Sequence, residues 1–286
     1  MLMRTEFRPL MLMILLCSCT SLQRPDPKDP SLEKSELRYS SVVTKNNFRV
    51  VTFNVHTNSA KKIYRSIKDN HALANADVLL LQEIRKVSST SKSEPEKLAN
   101  LLSMHYAYAP GYGLKNSGSH GVAILSRFPL LSENIIELPK YHVGLNSARR
   151  VALSVEIDTT EGLLRIYNVH LDNRLNPKKR IRQINPVLED SDLFRGPVII
   201  GGDVNTSPFC WGVYVLPIPC GLQSKRLEAY VRKHGFDTPV ANSGGTHKVM
   251  NMRLDAIYTR SLTSTKWGVE RVGVSDHRPL WTDISI

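Results

Sequence analysis

The sequence contains no stretch of about 20 uninterrupted apolar residues, which excludes a multi-pass membrane protein and argues against even one spanning helix. Its four Cys are too few for a disulfide framework. Neither pair, Cys17 with Cys19 or Cys210 with Cys220, has zinc-site spacing with His. Gly and Pro number 16 each, which excludes collagen-like and low-complexity chains. No internal repeat occurs, and no Pro- or Ser-rich linker divides residues 48–286. What remains is a globular composition, 41% hydrophobic and 22% charged, able to bury the core of one or two domains. Acidic residues are the scarcer charge. With 26 Asp and Glu against 38 Lys and Arg, the net +12 suits nucleic acid, anionic headgroups, or only a solvated basic surface.

Arg4 and Arg8 precede an apolar run at 9–17 (PLMLMILLC), and small polar residues follow, the order of a secretory signal. Leu16-Cys17-Ser18-Cys19 resembles a bacterial lipoprotein signal. That implies removal of residues 1–18, lipidation of Cys19, and a membrane-anchored protein in the periplasm or on the outer surface. Arg4, Glu6 and Arg8 are the only charges before Cys19, so the basicity belongs to the mature chain. Pro25, Pro27 and Pro30 among mixed charges give residues 19–47 the composition of an extended tether. A single domain is expected over 48–286.

Within that domain, β-branched and apolar runs predict strands at 48–55 (FRVVTFNV), 78–82 (VLLLQ), 121–125, 151–157, 163–169, 198–202, 254–258, 267–272 and 280–284. Helical spacing places Ile63, Ile67, Leu73 and Ala74 close to one stripe, and further helices are expected at 94–103, 177–190 and 225–234. Strands outnumber helices, which predicts one α/β (α+β) domain of two packed sheets with flanking helices.

Polar residues recur at the ends of the apolar strands: Asn54 in TFNVH, Glu83 in LLLQEIR, His170 in YNVHLD, Asp203 and Asn205 in GGDVN, Asp276 and His277 in VSDHRPL. Strand ends are where sites are built. The oxygen donors of Glu83, Asp276 and Asn54 suit Mg²⁺ or Mn²⁺, and the lack of Cys/His clusters argues against structural zinc.

In this order and spacing, the set resembles the endonuclease/exonuclease/phosphatase superfamily, which includes deoxyribonucleases, apurinic endonucleases, neutral sphingomyelinases and inositol phosphatases. The likeness spans 48–286, and GD-x-N with SDH-x-PL are its most specific parts. It implies a deoxyribonuclease-like four-layered sandwich of two mixed sheets flanked by helices. It also implies metal-dependent hydrolysis of phosphoric esters. Residue by residue, the likeness makes Glu83, Asn54 and Asp276 the holders of Mg²⁺ or Mn²⁺, while Asp203 and Asn205 orient the attacking water and the scissile phosphate. His277 becomes a general base poised near neutral pH, its tautomer fixed by Asp255 in RLDAIY. His170 would donate toward phosphate or the leaving oxygen. Arg85 and Thr246 are secondary phosphate contacts, with Arg149 and Arg150 as further basic candidates. Val204 stands where Phe or Leu is commoner, an apolar exchange that affects packing.

The substrate is less defined. Lys178, Lys179, Arg180 and Arg182, with Lys225 and Arg226, would meet a phosphate backbone or form a merely solvated basic face. The apolar stretch Phe209 to Leu222 either packs on the core, pinned by a Cys210–Cys220 disulfide that export would permit, or touches lipid. The reading is a monomer acting on a phosphodiester, nucleic acid ahead of phospholipid, sphingomyelin or inositol phosphate, with a surface-displayed binding protein as the non-catalytic alternative.

Overall fold

The computed structural model describes residues 23–36, 47–143, 147–214, 216–221 and 223–285. The expected leader at 1–18 and the lipidation site Cys19 lie outside the described residues.

In chain order the first elements are β1 (Glu33–Lys34), β2 (Asn47–Asn54), α1 (Ala60–Lys68), α2 (His71–Ala74), β3 (Val78–Lys86), α3 (Glu94–Leu102) and β4 (His105–Gly113). Next come β5 (Ser119–Ser126), β6 (Leu131–Leu138), β7 (Arg150–Thr159), β8 (Gly162–His170), α4 (Pro177–Asp192) and β9 (Val198–Asp203). The chain ends with β10 (Phe209–Gly212), β11 (Leu216–Pro219), α5 (Gln223–Lys233), β12 (Asp255–Arg260), β13 (Thr263–Val269) and β14 (Leu280–Ser285).

Among the described residues these strands form a seven-stranded sheet of order β1-β4-β5-β3-β2-β14-β13 and a five-stranded sheet of order β12-β9-β8-β7-β6. The pairs β2/β3 and β8/β9 are parallel and their neighbours antiparallel, so both sheets are mixed. Alternation along the strands sorts the core. Leu80, Val50, Val122 and Ile124 meet Leu153, Ile166, Ile199 and Ile257 between the sheets. Leu79 and Leu81, with Val51 and Phe53, pack instead against Ile63, Ile67 and Leu98 of the helices. On the far side, Tyr167, Val169 and Ile200 pack against Ile184, Val187 and Leu188 of α4 and Leu227 and Val231 of α5. Each fully buried aliphatic side chain stabilises the fold by roughly 1.5–3 kcal/mol. The expected four layers, helices, sheet, sheet and helices, are present.

One polar bridge crosses the inter-sheet core. Gln82 Nε2 donates to Asn168 Oδ1 (2.7 Å) and Thr52 Oγ1 (3.1 Å), while Asn168 Nδ2 donates to the carbonyls of Leu81 (2.9 Å) and Ala123 (2.8 Å). A second constraint is Gly202, at φ +147°, where a Cβ would lie 2.0 Å from the Val169 carbonyl. Only glycine lets β8 and β9 approach there.

Some expectations are corrected. Residues 23–36, expected to belong to a tether, lie against the domain: Glu33 and Lys34 pair with Tyr108 and Ala107, and Gly113 N donates to Pro25 O at 2.7 Å. The prolines keep this segment extended, and the open edge of β4 takes it up. The helical stripe at 63–74 is two helices, broken at Asp69 and Asn70, where the Asn70 side chain caps α2 by accepting from Leu73 N. Strand β13 starts and ends earlier than 267–272, and β4, β6 and the β10–β11 hairpin were not anticipated.

Candidate active site

Strand pairing brings the site together. His170 closes β8, Asp203 closes its parallel neighbour β9, and Asp255 opens antiparallel β12, so all three are register partners in one row. Across the core, β2 ends on Asn54 and β3 carries a bulge between Gln82 and Ile84. Glu83 occupies that bulge with φ 55°, a left-handed conformation costing a Glu about 1–3 kcal/mol, and the bulge re-aims its carboxylate. In the loop before β14, Ser275 Oγ donates to Asn54 O (2.7 Å) and accepts from His277 N (3.1 Å), tying the third segment to the second.

Asp203 Oδ2 is the hub. It accepts from Asn54 Nδ2 (3.0 Å) and lies 3.6 Å from His170 Nε2 and 3.8 Å from His277 Nε2. Asn54 Nδ2 also donates to Glu83 Oε1 (3.2 Å), which is 4.0 Å from His170 Nε2. On its other side the His277 ring meets Asp255 Oδ2 through Nδ1 at 2.9 Å. Asp255 Oδ1 is buried with no partner, leaving that carboxylate free to accept more.

These neighbours set the charge states. Burial opposes the His277 cation, but Asp255 and Asp203 outweigh it and its pKa rises to about 10. Burial raises Asp203 above the ordinary carboxylate range, with His277 opposing and Asp255 adding to the shift. Burial first, then Arg150, holds His170 well below the usual imidazole range and so neutral. The expected poise of His277 near neutral pH therefore meets an upward push from its carboxylate neighbours, toward the cation.

Among the described residues, Asp203, Asp255 and His277 are the tightest convergence of possible metal-ligating atoms, all within 4.8 Å. That group is buried, and the His277 Nδ1 atom is already engaged by Asp255. The oxygens of Glu83, Asp276 and Asn54 fit a hard divalent ion better. Glu83 and Asp276 are 26% and 40% exposed, which lets an ion keep water ligands, and no thiol competes. Between the two carboxylates stands the His56 imidazole, 3.7 Å from Glu83 Oε2 and 3.4 Å from Asp276 Oδ1.

Other expected residues divide. Asn205 is beside the hub, its backbone N donating to Asp203 Oδ1 (3.0 Å) and its Nδ2 to Leu171 O (2.9 Å). Val204 is buried in the packing between the second sheet and its helices. Thr246 is fully buried, and its hydroxyl accepts from Leu254 N and Asp255 N. It braces Asp255 rather than facing a phosphate. Arg149 is tied to Pro110 O and Glu137. Arg150 instead reaches the site, with Nη1 3.3 Å from His170 Nδ1 and Nε donating to Asp172 Oδ1 at 2.7 Å. Sequence reasoning passed over His56, Asp172, Tyr112 and His120, although His56 and Asp172 each sit two residues beyond a chosen residue, in NVH and HLD.

The basic run is not one face. Lys178 and Arg182 are exposed, but Arg180 is fully buried and donates to Gln223, Asp172 O, Val204 O and Leu175 O, stitching loops beneath the site. Lys179 lies by the rings of Tyr214 and Tyr141, an aromatic company absent from the linear sequence. Cys210 and Cys220 are joined, with Cα atoms 5.7 Å apart. The segment they bracket is a hairpin rather than a loop packed on the core: Val213, Leu216 and Ile218 are exposed.

A family model described as "Endonuclease/Exonuclease/phosphatase family" matches residues 51–277. No curated protein matches the sequence. Among solved structures, an endonuclease/exonuclease/phosphatase from Beutenbergia cavernae superposes with TM-score 0.69 at 18% identity, over 85% of this chain and 72% of that one. The human Nocturnin catalytic domain with bound sulfate has TM-score 0.61 at 18% identity, over 91% and 98%. The mannosyl-6-phosphatase of Bacteroides thetaiotaomicron has TM-score 0.59 at 17% identity, over 84% and 100%. At these identities the likeness concerns the fold alone.

Proposed function

Since the chain belongs to the endonuclease/exonuclease/phosphatase family, we propose that it hydrolyses phosphodiesters with a divalent metal, Mg²⁺ or Mn²⁺, and that its substrate is DNA or RNA. The observation that carries this reading is the meeting of Asn54, His170 and His277 on Asp203 Oδ2, with Asp255 backing His277.

Glu83, Asp276 and Asn54 would hold the metal. Bound there, it would supply positive charge for the phosphate oxygens as negative charge builds on them. The chain's own residues divide the rest of the work. Asp203, its affinity for a proton raised by burial, takes the proton of the attacking water. The new P–O bond forms as the ester P–O bond opposite breaks, and the departing oxygen takes up a proton from solvent water. His277, cationic and held by Asp255, stabilises the charge on a phosphoryl oxygen. His170 is neutral, so it donates a hydrogen bond rather than acting as an acid. Asn205 orients the phosphate beside Asp203.

Nucleic acid is favoured by the net +12 and by the exposed Lys178, Arg182, Lys225 and Arg226. The exposed hairpin at 209–219 favours a second reading, a phospholipid headgroup ester cleaved at a membrane. Plasmid DNA, sphingomyelin and a chromogenic phosphodiester, each with Mg²⁺ and with EDTA, separate the readings. Metal-dependent nicking that weakens steeply with salt and is lost in His277→Ala supports the nuclease. Turnover of sphingomyelin without nicking transfers the assignment to lipid, and inactivity on all three refutes both. We further propose that the leader directs export and that Cys19 carries a lipid anchor, testable by labelling with a fatty-acid probe and its loss in Cys19→Ala.

A further inference from the structure

The β10–β11 hairpin stands out from the domain instead of packing on it. Its ladder, from Phe209 with Pro219 to Gly212 with Leu216, would be marginally stable alone. Three fastenings hold it in place. The Cys210–Cys220 disulfide closes its base, and Gln223 Nε2 donates to Phe209 O. The Asn176 side chain accepts from Trp211 N (2.6 Å) and donates to Trp211 O (3.1 Å). So fixed, the hairpin keeps Val213, Leu216 and Ile218 in water at 81%, 56% and 53% exposure. Pro217 and Pro219 deny its outer strand two N–H donors, so a strand from a protein partner gains little by pairing there.

The charge around the hairpin has one sign. Residues 173–188 and 204–227, which form the hairpin and its supports, contain no Asp or Glu. Arg174 lies over the Trp211 ring, 5.6 Å from its centroid, and Lys179 donates to the Tyr214 hydroxyl. Lys178, Lys225 and Arg226 are exposed in the first turns of α4 and α5. An aliphatic tip offers a nucleic acid neither a stacking face nor a hydrogen bond, whereas it leaves water on entering acyl chains. Tryptophan and tyrosine rings beneath such a tip suit the headgroup level, and the cations suit anionic headgroups.

The same rim carries the candidate site and the N-terminal segment. Phe209 follows Asp203 by only six residues. Asp26 Oδ1 lies 3.4 Å from Lys140 Nζ, and the ring of the next residue, Tyr141, lies 5.4 Å from Lys179 Nζ. Cys19 precedes Arg24 by five residues, a length that spans at most about 18 Å when extended. The anchor proposed on Cys19 and the hairpin would thus meet one surface.

We propose that the β10–β11 hairpin and its cations form a docking surface for an anionic bilayer, with Val213, Leu216 and Ile218 entering the headgroup region and the candidate site held close to the membrane. Docking of this kind does not rest on the phospholipid reading and holds whichever ester is cleaved, so binding rather than turnover tests it.

The test uses the full chain with Cys19→Ala in every sample, so that no acyl chain contributes. Co-sedimentation compares vesicles of phosphatidylcholine with vesicles that also contain phosphatidylglycerol. Binding is expected to be about tenfold or more tighter to the mixed vesicles and to weaken as salt rises. Leu216→Asp with Ile218→Asp lowers it about tenfold or more with unchanged circular dichroism, and Lys178→Glu with Lys225→Glu removes most of the preference for phosphatidylglycerol. Val213→Trp puts a reporter at the tip, whose emission shifts to the blue and is quenched by brominated acyl chains in the mixed vesicles. A tip tryptophan left unquenched, or vesicle binding unchanged by the paired Asp substitutions, overturns the docking surface. If those substitutions weaken binding of a DNA duplex and leave vesicle binding intact, the hairpin serves nucleic acid and the proposal also fails. If the chain cleaves no ester, the phosphodiesterase reading falls, while vesicle binding that depends on Leu216 and Ile218 still supports the docking surface.

Discussion

Gln82 of one sheet and Asn168 of the other are hydrogen-bonded across the core at 2.7 Å, one residue before Glu83 and two before His170. The bond fixes the two halves of the site relative to each other. In Asn168→Ala, Gln82 and the Leu81 and Ala123 carbonyls lose buried partners, which is expected to lower stability by roughly 2–4 kcal/mol. Urea unfolding would measure this, and a loss below about 0.5 kcal/mol, the range of ordinary surface changes, would refute the bridging role.

Glu83 is a half-buried carboxylate within reach of both Asn54 and His170. Glu83→Gln keeps the shape and removes the charge. The apparent affinity for Mg²⁺ is expected to fall about 10- to 100-fold, with unchanged circular dichroism. Activity with unaltered metal dependence would move the ion elsewhere.

His277 titrates at about 10 in the metal-free fold, above its ordinary 6.5. A raised folded-state pKa means that the native protein binds the proton more tightly. Its stabilising contribution is therefore full below pH 6.5 and is lost as pH rises through 10. In EDTA, wild type should lose stability across that window more steeply than His277→Ala. Parallel curves from the two proteins would count against a protonated His277.

His120 behaves in the opposite way. Burial, then Arg150, Arg24 and Arg85, lowers its pKa to about 3. The unfolded chain therefore takes up the proton first, so stability present above pH 6.5 falls as the solution is acidified toward 3. His120→Phe keeps an aromatic ring on Tyr112 and should blunt that acid sensitivity. Thermal denaturation from pH 7 to 3.5 reads the difference, and identical slopes would show that His120 is not held neutral.

Much of this architecture was legible because buried strands read as apolar runs and their polar ends stand out. VLLLQE and VIIGGD each carry both signals. Strand β4 was hidden because HYAYAPGYG mixes aromatics with Pro and Gly, and β6 because it alternates imperfectly on a half-exposed edge. Residues 23–36 looked unattached because their contacts, main-chain bonds and ion pairs such as Lys86 with Glu33 and Lys34 with Glu133, are all with distant residues, which composition cannot register. For the candidate site, spacing found residues at strand ends, but it could not separate the buried Arg180 and Thr246 from exposed neighbours. That distinction depends on which way a helix or loop turns. The upward push on His277 was hidden for a related reason: two of the carboxylates around it come from elements more than 20 residues away.

Strand β14 lies between β2 and β13, so nearly the first strand of the domain and the last to be synthesised are neighbours. The loop that carries Asp276 and His277 is anchored by this closing pair. Contacts so distant in sequence form slowly. Until β14 docks, Asn54, Glu83, His170 and Asp203 are without the histidine that faces them, and the candidate site is incomplete.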